Sequence, residues 1–97
     1  MENESVYAFC KQIPKGKVTT YKAIAEKLGT KAYQAIGQIL SKNPNAPKVP
    51  CHRVIKSNGE IGGFMGSKDN QKKIELLTKE GVEIIDNKVN SKFIFLF

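Results

Sequence analysis

The chain has few of the side chains that proteins use to hold metal ions. Its 97 residues include one histidine and two cysteines. A structural zinc site usually takes four nitrogen or sulfur ligands, which these three side chains do not supply. We therefore expect no metal site. We also expect no disulfide, because an intracellular chain keeps its thiols reduced.

Long apolar segments and leader sequences are absent as well. The longest apolar run, Phe93 to Phe97, is far shorter than the ~20 residues that a membrane-spanning helix needs. The first residues, Met1 to Glu4, lack the basic stretch and apolar core of a secretory signal. We therefore expect a cytoplasmic protein, or a nuclear one in a eukaryote. With 97 residues, of which 40% are hydrophobic, we expect one domain over residues 1–97 and no separate N-terminal domain.

Acidic residues are scarce relative to basic ones. Nine Asp and Glu face sixteen Lys and Arg, which gives a net charge of +7 spread along the chain. Such a charge suits a polyanionic partner, and nucleic acid is the most common one. On charge alone, a basic protein without such a partner is an equally good interpretation.

Apolar residues at helical spacing predict three helices in the first half of the chain. The first helix runs from Glu4 to Ile13, with Cys10 on its buried side. Thr19 or Thr20 caps the second helix and Gly29 ends it. Thr30 is expected to cap the third helix. The apolar stripes are Tyr21, Ile24, Ala25 and Leu28, then Ala32, Ala35, Ile36, Ile39 and Leu40. The short connection between the second and third helices predicts a helix-turn-helix.

The outward face of the third helix is small, polar and uncharged. It carries Gln34, Gly37, Gln38 and Ser41 at positions i, i+3, i+4 and i+7. A glycine inside a helix costs about 1 kcal/mol relative to alanine, which suggests that something approaches the backbone closely at this position. DNA and a tightly packed second helix are equally good candidates.

The second half of the chain predicts short hairpins and one more helix. Residues 53–62 are interpreted as a hairpin that turns at Asn58-Gly59. A helix starts at Ser67 or Asp69 and ends at Gly81, and a small hairpin turns at Asp86-Asn87. Phe93 to Phe97 form a last strand or a docked tail. The predicted fold class is mostly α with small β-hairpins, in a single domain that resembles a winged helix-turn-helix.

The segment Pro50 to Val54 places a thiol, Cys51, beside the only histidine, His52. A thiol is a good nucleophile as thiolate, and imidazole is suited to accept its proton near neutral pH. Adjacency alone is weak evidence, because neighbouring side chains on a strand point to opposite faces. An inert buried thiol beside a structural histidine is the alternative.

Several motifs in a fixed order resemble the C-terminal domain of the O6-alkylguanine-DNA alkyltransferases, also called methylated-DNA–protein-cysteine methyltransferases. The matching segments are Gly16 to Tyr21, Lys42 to Pro44, Pro50 to Val54, Gly62 to Phe64, and Leu76-Leu77 with Glu80 to Val82. Together they span nearly the whole chain. The resemblance implies DNA repair on double-stranded DNA, in which an alkyl group moves irreversibly from O6 of guanine to a cysteine of the protein, without a cofactor.

The resemblance also implies a role for each matching residue. Cys51 is the alkyl acceptor, His52 takes its proton through a water, and Glu80 orients the imidazole. Asn43 ties the recognition helix to the active-site turn, and Tyr21 helps to turn the nucleotide outward and donates a proton to the leaving guanine. Backbone groups near Cys51 and Val54 read the base, and Phe64 and Met65 form the pocket wall. The implied DNA-binding residues are Thr20, Tyr21, Lys22, Lys31, Gln34, Gly37, Gln38 and Ser57.

The sequence departs from the family pattern at Gln34, where the family has an arginine that enters the base stack. Glutamine is shorter and uncharged, so base extrusion is expected to be weaker or to need help from Tyr33 or Lys31. The polar segment Gly66 to Asn70 is a second departure, and it could shift Glu80 relative to His52.

Two other functions remain open at this point. One is a damage sensor with a slow Cys51, similar to the alkyltransferase-like proteins, although those usually have tryptophan at this position. The other is a helix-turn-helix regulator, for which the sequence shows no dimer surface; we expect a monomer.

Overall fold

Four α-helices make up most of the regular structure. The computed structural model describes residues 3–42, 48–62, 70–95 and 97. Its helices are α1 (Asn3–Gln12), α2 (Tyr21–Leu28), α3 (Tyr33–Ser41) and α4 (Gln71–Lys79). Its strands are β1 (Thr19–Thr20), β2 (Val54–Ile55), β3 (Ile84–Ile85) and β4 (Lys88–Val89), and two short 3₁₀ helices span Cys51–Arg53 and Ser91–Phe93. The mostly helical fold class predicted from the sequence is confirmed.

The ends of α2 follow the local sequence. The hydroxyl of Thr20 accepts a hydrogen bond from the backbone N–H of Ala23 at 3.0 Å, which caps the first turn. Gly29 ends the helix in the left-handed region, with φ of 70°, and its N–H donates back to carbonyls of the last turn. Both predicted boundaries are confirmed.

The predicted cap of α3 is wrong. The helix begins at Tyr33, and Ala32 occupies the cap position without a side-chain hydrogen bond. The hydroxyl of Thr30 instead accepts from the N–H of Ala32, two residues later, at 3.1 Å. A threonine can satisfy a nearby N–H in a local turn as well as at a helix start, and here the turn precedes the helix.

The predicted hairpin at residues 53–62 is also wrong in its pairing. The turn forms, since Gly59 has φ of 91° and its N–H donates to the carbonyl of Lys56 at 3.0 Å. However, β2 pairs in parallel with β1, with Thr19 opposite Val54 and Thr20 opposite Ile55. Val54 and Ile55 are both fully buried, so this strand needs cover on both faces, as strands in parallel pairs usually have.

The hairpin predicted around Asp86-Asn87 is confirmed. Strands β3 and β4 pair antiparallel, with Ile84 opposite Val89. Asp86 and Asn87 have φ of 53° and 62°, as a two-residue type I′ turn requires. The end of the chain is a docked tail, in which Ile94 bridges Val18 and the ring of Phe97 packs edge-on against Phe9, with 5.1 Å between the ring centroids.

The hydrophobic core has two parts that meet at β2. Val54 packs with residues of α1, α2 and α3, including Cys10, which is fully buried as predicted. Ile55 packs with Leu77 of α4 and with Val89 of β4. The 3₁₀ turn that leads into β2 is therefore held between both parts of the core. No helix among the described residues is long and apolar enough to span a membrane.

Candidate active site

Cys51 and His52 lie on the 3₁₀ turn rather than on a strand. The N–H of Cys51 donates to the carbonyl of Val49 at 2.8 Å, and the N–H of Arg53 donates to that of Pro50 at 3.0 Å. A 3₁₀ helix has about three residues per turn, so neighbouring side chains are about 120° apart and do not point to opposite faces as on a strand. Cys51 is 6% exposed and His52 is 2% exposed. The geometric objection to a Cys51–His52 pair therefore does not apply to this backbone.

Arg53, which the sequence interpretation did not single out, joins three parts of the chain. Its Nε donates to Oε1 of Glu80 at 2.9 Å and its Nη2 donates to Oε2 at 2.6 Å. Its Nη1 donates to the backbone carbonyl of Ile13, beyond the end of α1, at 2.9 Å. Planar, two-point pairing of this kind holds a carboxylate in one orientation. Spacing in the sequence does not indicate it, since Arg53 and Glu80 are 27 residues apart.

Glu80 lies beside His52, as the resemblance implies, but its hydrogen bonds go to Arg53. Oε1 of Glu80 is 3.1 Å from Nε2 of His52. Neither ring nitrogen makes a hydrogen bond within the described part of the chain, so this contact is a close electrostatic one that is not aligned with the ring N–H. The carboxylate is held by the guanidinium and in turn lies against the imidazole.

The pKa values of this pair favour a neutral imidazole beside an ionised carboxylate. Burial lowers the pKa of His52, with help from the charges of Arg53 and Lys73 and against the opposing effect of Glu80. Burial alone would raise the pKa of Glu80, but the hydrogen bonds and charge of Arg53, together with the close contact with His52, outweigh it, and the pKa is lowered. His52 is therefore able to accept a proton, and Glu80 can stabilise the cation that results.

Tyr21 and Lys73 lie close to each other and are both affected electrostatically by Cys51. Tyr21 is the first residue of α2, and burial, followed by the influence of Cys51 and Cys10, raises its pKa. Its hydroxyl therefore stays protonated and able to donate. Nζ of Lys73 lies 5.9 Å from the centroid of the Tyr21 ring, and the lysine is 1% exposed. The sequence interpretation missed Lys73, although it lies four residues before Leu77 on the buried stripe of α4.

The outward face of α3 is open. Gln34 and Gln38 are exposed, and a Cβ atom built on Gly37 meets no atom within 4 Å. Of the two explanations for this glycine, close packing of another helix finds no support among the described residues. Three other residues predicted to contact DNA are also exposed: Lys22, Lys31 and Ser57.

Among the residues predicted to contact the DNA or the extruded base, Thr20 and Val54 have buried side chains. Thr20 is 8% exposed and its hydroxyl caps α2, so this group is already used inside the protein. Val54 is fully buried in the core, and only its backbone is left to contact a base. Asn43, Phe64 and Met65, together with the segment Gly66 to Asp69, lie outside the described residues.

Residues 2–82 match the protein family described as the DNA-binding domain of 6-O-methylguanine DNA methyltransferase. Methylated-DNA–protein-cysteine methyltransferases of Saccharolobus islandicus and Saccharolobus solfataricus are 51% identical to the chain over 80 residues. These residues are 82% of this chain and 50% of each relative, so the chain spans about half the length of these curated relatives.

Solved structures show the same architecture. S. pombe Atl1, in complex with damaged DNA containing O6-carboxymethylguanine, aligns with a TM-score of 0.85 and 33% identity, over 96% of this chain and 93% of that chain. Mycobacterium tuberculosis OGT in complex with DNA aligns with a TM-score of 0.74 and 34% identity, over 80% of this chain and 48% of that chain. The helix-turn-helix DNA-binding fold predicted from the sequence is confirmed.

A first test concerns the carboxylate of Glu80. We expect Glu80→Gln to lower the free energy of unfolding at pH 7 by about 2 kcal/mol, because hydrogen bonds to charged groups contribute roughly 1.5–3 kcal/mol. Since the pKa of Glu80 is lowered by folding, this contribution is present above pH ~4.3 and is lost as the pH falls through the folded-state value. Urea unfolding at intervals from pH 7 downward should show the difference between wild type and variant shrinking.

Glu75→Gln is the matched control, because Glu75 is exposed on the same helix. We expect it to change stability by less than about 0.5 kcal/mol at any pH in this range. Equal losses in the two variants would contradict the anchoring of Glu80 by Arg53.

Proposed function

The chain belongs to the family of 6-O-methylguanine DNA methyltransferase DNA-binding domains, and on that premise we propose that it repairs DNA by moving an alkyl group from O6 of guanine to Cys51. The observation that carries this proposal is the buried Cys51 on one turn with His52, whose imidazole lies 3.1 Å from the carboxylate that Arg53 holds. We propose that the protein acts as a monomer, in the cytoplasm or, in a eukaryote, the nucleus.

Binding to duplex DNA comes first in the proposed reaction. The exposed face of α3, with Lys22 and Lys31 near it in the chain, offers polar groups and positive charge to the phosphate backbone. A base inside the stack cannot present its O6 substituent to a buried thiol. The alkylated guanine is therefore extruded, at a cost of a few kcal/mol that is lowest for a base that pairs badly.

The chemical step is a displacement at the alkyl carbon. Cys51 transfers its proton to His52 through a water, and the imidazolium is stabilised by Glu80. The thiolate forms a bond to the alkyl carbon while the bond from that carbon to O6 breaks, and the electron pair stays on guanine. Tyr21 donates a proton to the leaving base. The proton that His52 took from Cys51 then replaces the one that Tyr21 has lost, so the net reaction moves one proton from Cys51 to guanine. The thioether is not cleaved in this scheme, so each molecule reacts once.

Gln34 makes base extrusion the weak step in this scheme. A side chain that fills the gap left by the base must reach into the stack, and a cation gains from the negative potential of the minor groove. Glutamine has neither the length nor the charge of arginine. The chemistry of the site is thus better supported than the delivery of its substrate.

The transfer itself can be tested by intact-mass measurement. Incubation with a duplex oligonucleotide that contains O6-methylguanine should add the mass of one methyl group to the protein and leave unmodified guanine in the DNA. Cys51→Ala should abolish the adduct. Cys10→Ala is the matched control, because Cys10 is a fully buried thiol in the same core cluster, and this variant should still react.

Binding to the lesion without an adduct would support the damage-sensor alternative. Neither an adduct nor a preference for the lesion would favour a helix-turn-helix regulator.

Gly37 provides a test of the DNA-binding face that separates binding from stability. In the free protein, Gly37→Ala should raise the free energy of unfolding by about 1 kcal/mol, because the added Cβ meets no atom and alanine is the better helix former. In fluorescence anisotropy titrations, the same variant should bind duplex DNA at least about tenfold more weakly, since an atom is added where the DNA backbone approaches.

Gly29→Ala is the opposite control, because Gly29 has φ of 70° and alanine is strained there. It should lower stability and leave DNA affinity unchanged. Unchanged DNA binding by Gly37→Ala would rule out close contact between DNA and this part of α3.

Gln34→Arg tests whether extrusion is limiting. With a duplex that carries 2-aminopurine opposite thymine, the variant should increase the fluorescence that reports an unstacked base. With the O6-methylguanine duplex, it should speed alkyl transfer by about tenfold, equivalent to ~1.4 kcal/mol. Gln38→Arg adds the same charge one turn later on the same face and should raise DNA affinity without raising the fluorescence. Equal effects of the two variants would show that only general charge matters.

A further inference from the structure

Tyr33 is the one tyrosine of the chain that does not pack against the core. Tyr7 and Tyr21 both lie against the part of the core formed by α1, α2 and α3, and the hydroxyl of Tyr7 donates to the carbonyl of Ile39 at 3.0 Å. Tyr33 is 41% exposed, and among the described residues Ile85 is the other exposed large hydrophobic side chain. A single exposed apolar residue is common, so its place on the fold decides whether it has a role.

That place is the start of the helix that we propose binds DNA. Tyr33 is the first residue of α3, directly before Gln34, and it is the only aromatic residue of this helix. Its backbone N–H donates to the carbonyl of Lys31 at 2.9 Å, so the turn before the helix fixes the backbone that carries the ring. Side chains on a helix lean towards its N-terminus. The ring is therefore expected to extend from the exposed end of α3.

The ring of Tyr33 has few partners within the protein. Its neighbours in α3 and the preceding turn are small, namely Ala32, Ala35 and Gly37. A Cβ atom built on Gly37 meets no atom within 4 Å, so the ring does not lie over that glycine. In the part of the chain that the structure describes, the hydroxyl of Tyr33 makes no hydrogen bond, and its ring makes no aromatic or cation–π contact. The ring is therefore available to a partner.

A duplex from which a base is extruded offers such a ring a place to bind. Extrusion removes the stacking between that base and its neighbours and leaves a gap in the stack. Every base has a π-face, so an aromatic side chain can stack on whichever base borders the gap, and side chains wedged between base steps are known to hold a duplex open. Gln34 has no ring to stack, and Lys31 offers charge instead. Tyr33 has the shape and chemistry that the gap requires.

We propose that Tyr33 enters the base stack at the gap left by the extruded guanine and replaces part of the stacking that is lost. The proposal rests on the alkyl transfer set out above and adds a residue that supports extrusion where Gln34 brings no cation. The contact is uncharged, so it strengthens binding to the lesion without adding to the attraction between lysines and phosphates. Tyr33 acts on the DNA and takes no part in the chemistry at Cys51.

Tyr33→Trp tests the contact directly. The chain has no tryptophan, so the variant carries a single indole, whose fluorescence is quenched when it stacks on a base. Cys51→Ala is added so that the lesion stays intact. At saturating DNA, quenching should be at least about twofold greater with the O6-methylguanine duplex than with the undamaged duplex.

Ile85→Trp, also with Cys51→Ala, is the matched control, because Ile85 is exposed on β3 and not on α3. It should respond equally to both duplexes. Equal quenching of Tyr33→Trp by the damaged and undamaged duplexes, or no quenching, would overturn the proposal.

A series of replacements at Tyr33 tests whether stacking supports the reaction. Tyr33→Ala should slow methyl transfer from the duplex by about tenfold and lower the fluorescence of the 2-aminopurine duplex. Tyr33→Phe keeps the ring and should retain most of both signals, and Tyr33→Leu should fall between them. The Tm should change little in all three, because the side chain is exposed. Slower transfer with unchanged 2-aminopurine fluorescence, or equal losses in the Phe and Ala variants, would contradict a stacking role.

Salt dependence separates stacking from charge. The slope of log affinity against log salt should be the same in Tyr33→Ala as in the wild type, whereas Lys31→Ala should reduce it by about 1. A reduced slope in Tyr33→Ala would speak against the proposal. The tryptophan measurement needs no alkyl transfer. Lesion-dependent quenching without a methyl adduct in the wild type would therefore count against the proposed function alone, and an adduct without such quenching would count against Tyr33 alone.

Discussion

The guanidinium of Arg53 is the contact on which the geometry of the active site depends. Three of its N–H groups are used, two on the carboxylate of Glu80 and one on the carbonyl of Ile13. It thereby connects the end of α1, the active-site turn and the end of α4 around one planar group. Removing either partner of such a pair leaves an uncompensated charge with little access to solvent, which costs more than the pair itself contributes. The imidazole of His52 lies 3.1 Å from a carboxylate that is itself fixed by Arg53.

The charges of the site include one compensated ion pair and one buried lysine. Arg53 and Glu80 compensate each other, and His52 is held neutral by burial. Lys73 is almost fully buried, and burial lowers its pKa to about 8.

On the face of α3 that we propose binds DNA, the fold gives up some stability. Gly37 is left without a side chain although its surroundings have room for one, so the helix gives up stability that alanine would supply. The net charge of +7 provides general attraction to DNA. Gln34 does not provide the cation that the family uses in the base stack. The chain therefore has the positive charge to attract DNA and the open helix face to let it approach closely. It lacks the arginine that would favour extrusion of the base.

Signals between residues close in the chain predicted the structure well. Thr20 caps α2 because its hydroxyl needs only an N–H three residues away, and Gly29 ends the helix because it adopts a left-handed conformation at no steric cost. The turn at Asp86-Asn87 forms for the same kind of local reason. Thr30 had two local options, a helix cap or a turn, and the sequence does not choose between them.

The sequence by itself determined that Cys51 and His52 stand together, that a helix-turn-helix precedes them and that the chain carries excess positive charge. Only the tertiary structure decided that β2 pairs with β1, that Arg53 holds Glu80 and that Lys73 is buried. These contacts join residues 27 or more positions apart in the chain or depend on burial from all sides. The sequence shows which side chains carry charge or can form hydrogen bonds. Which partner each of them finds depends on how the core packs.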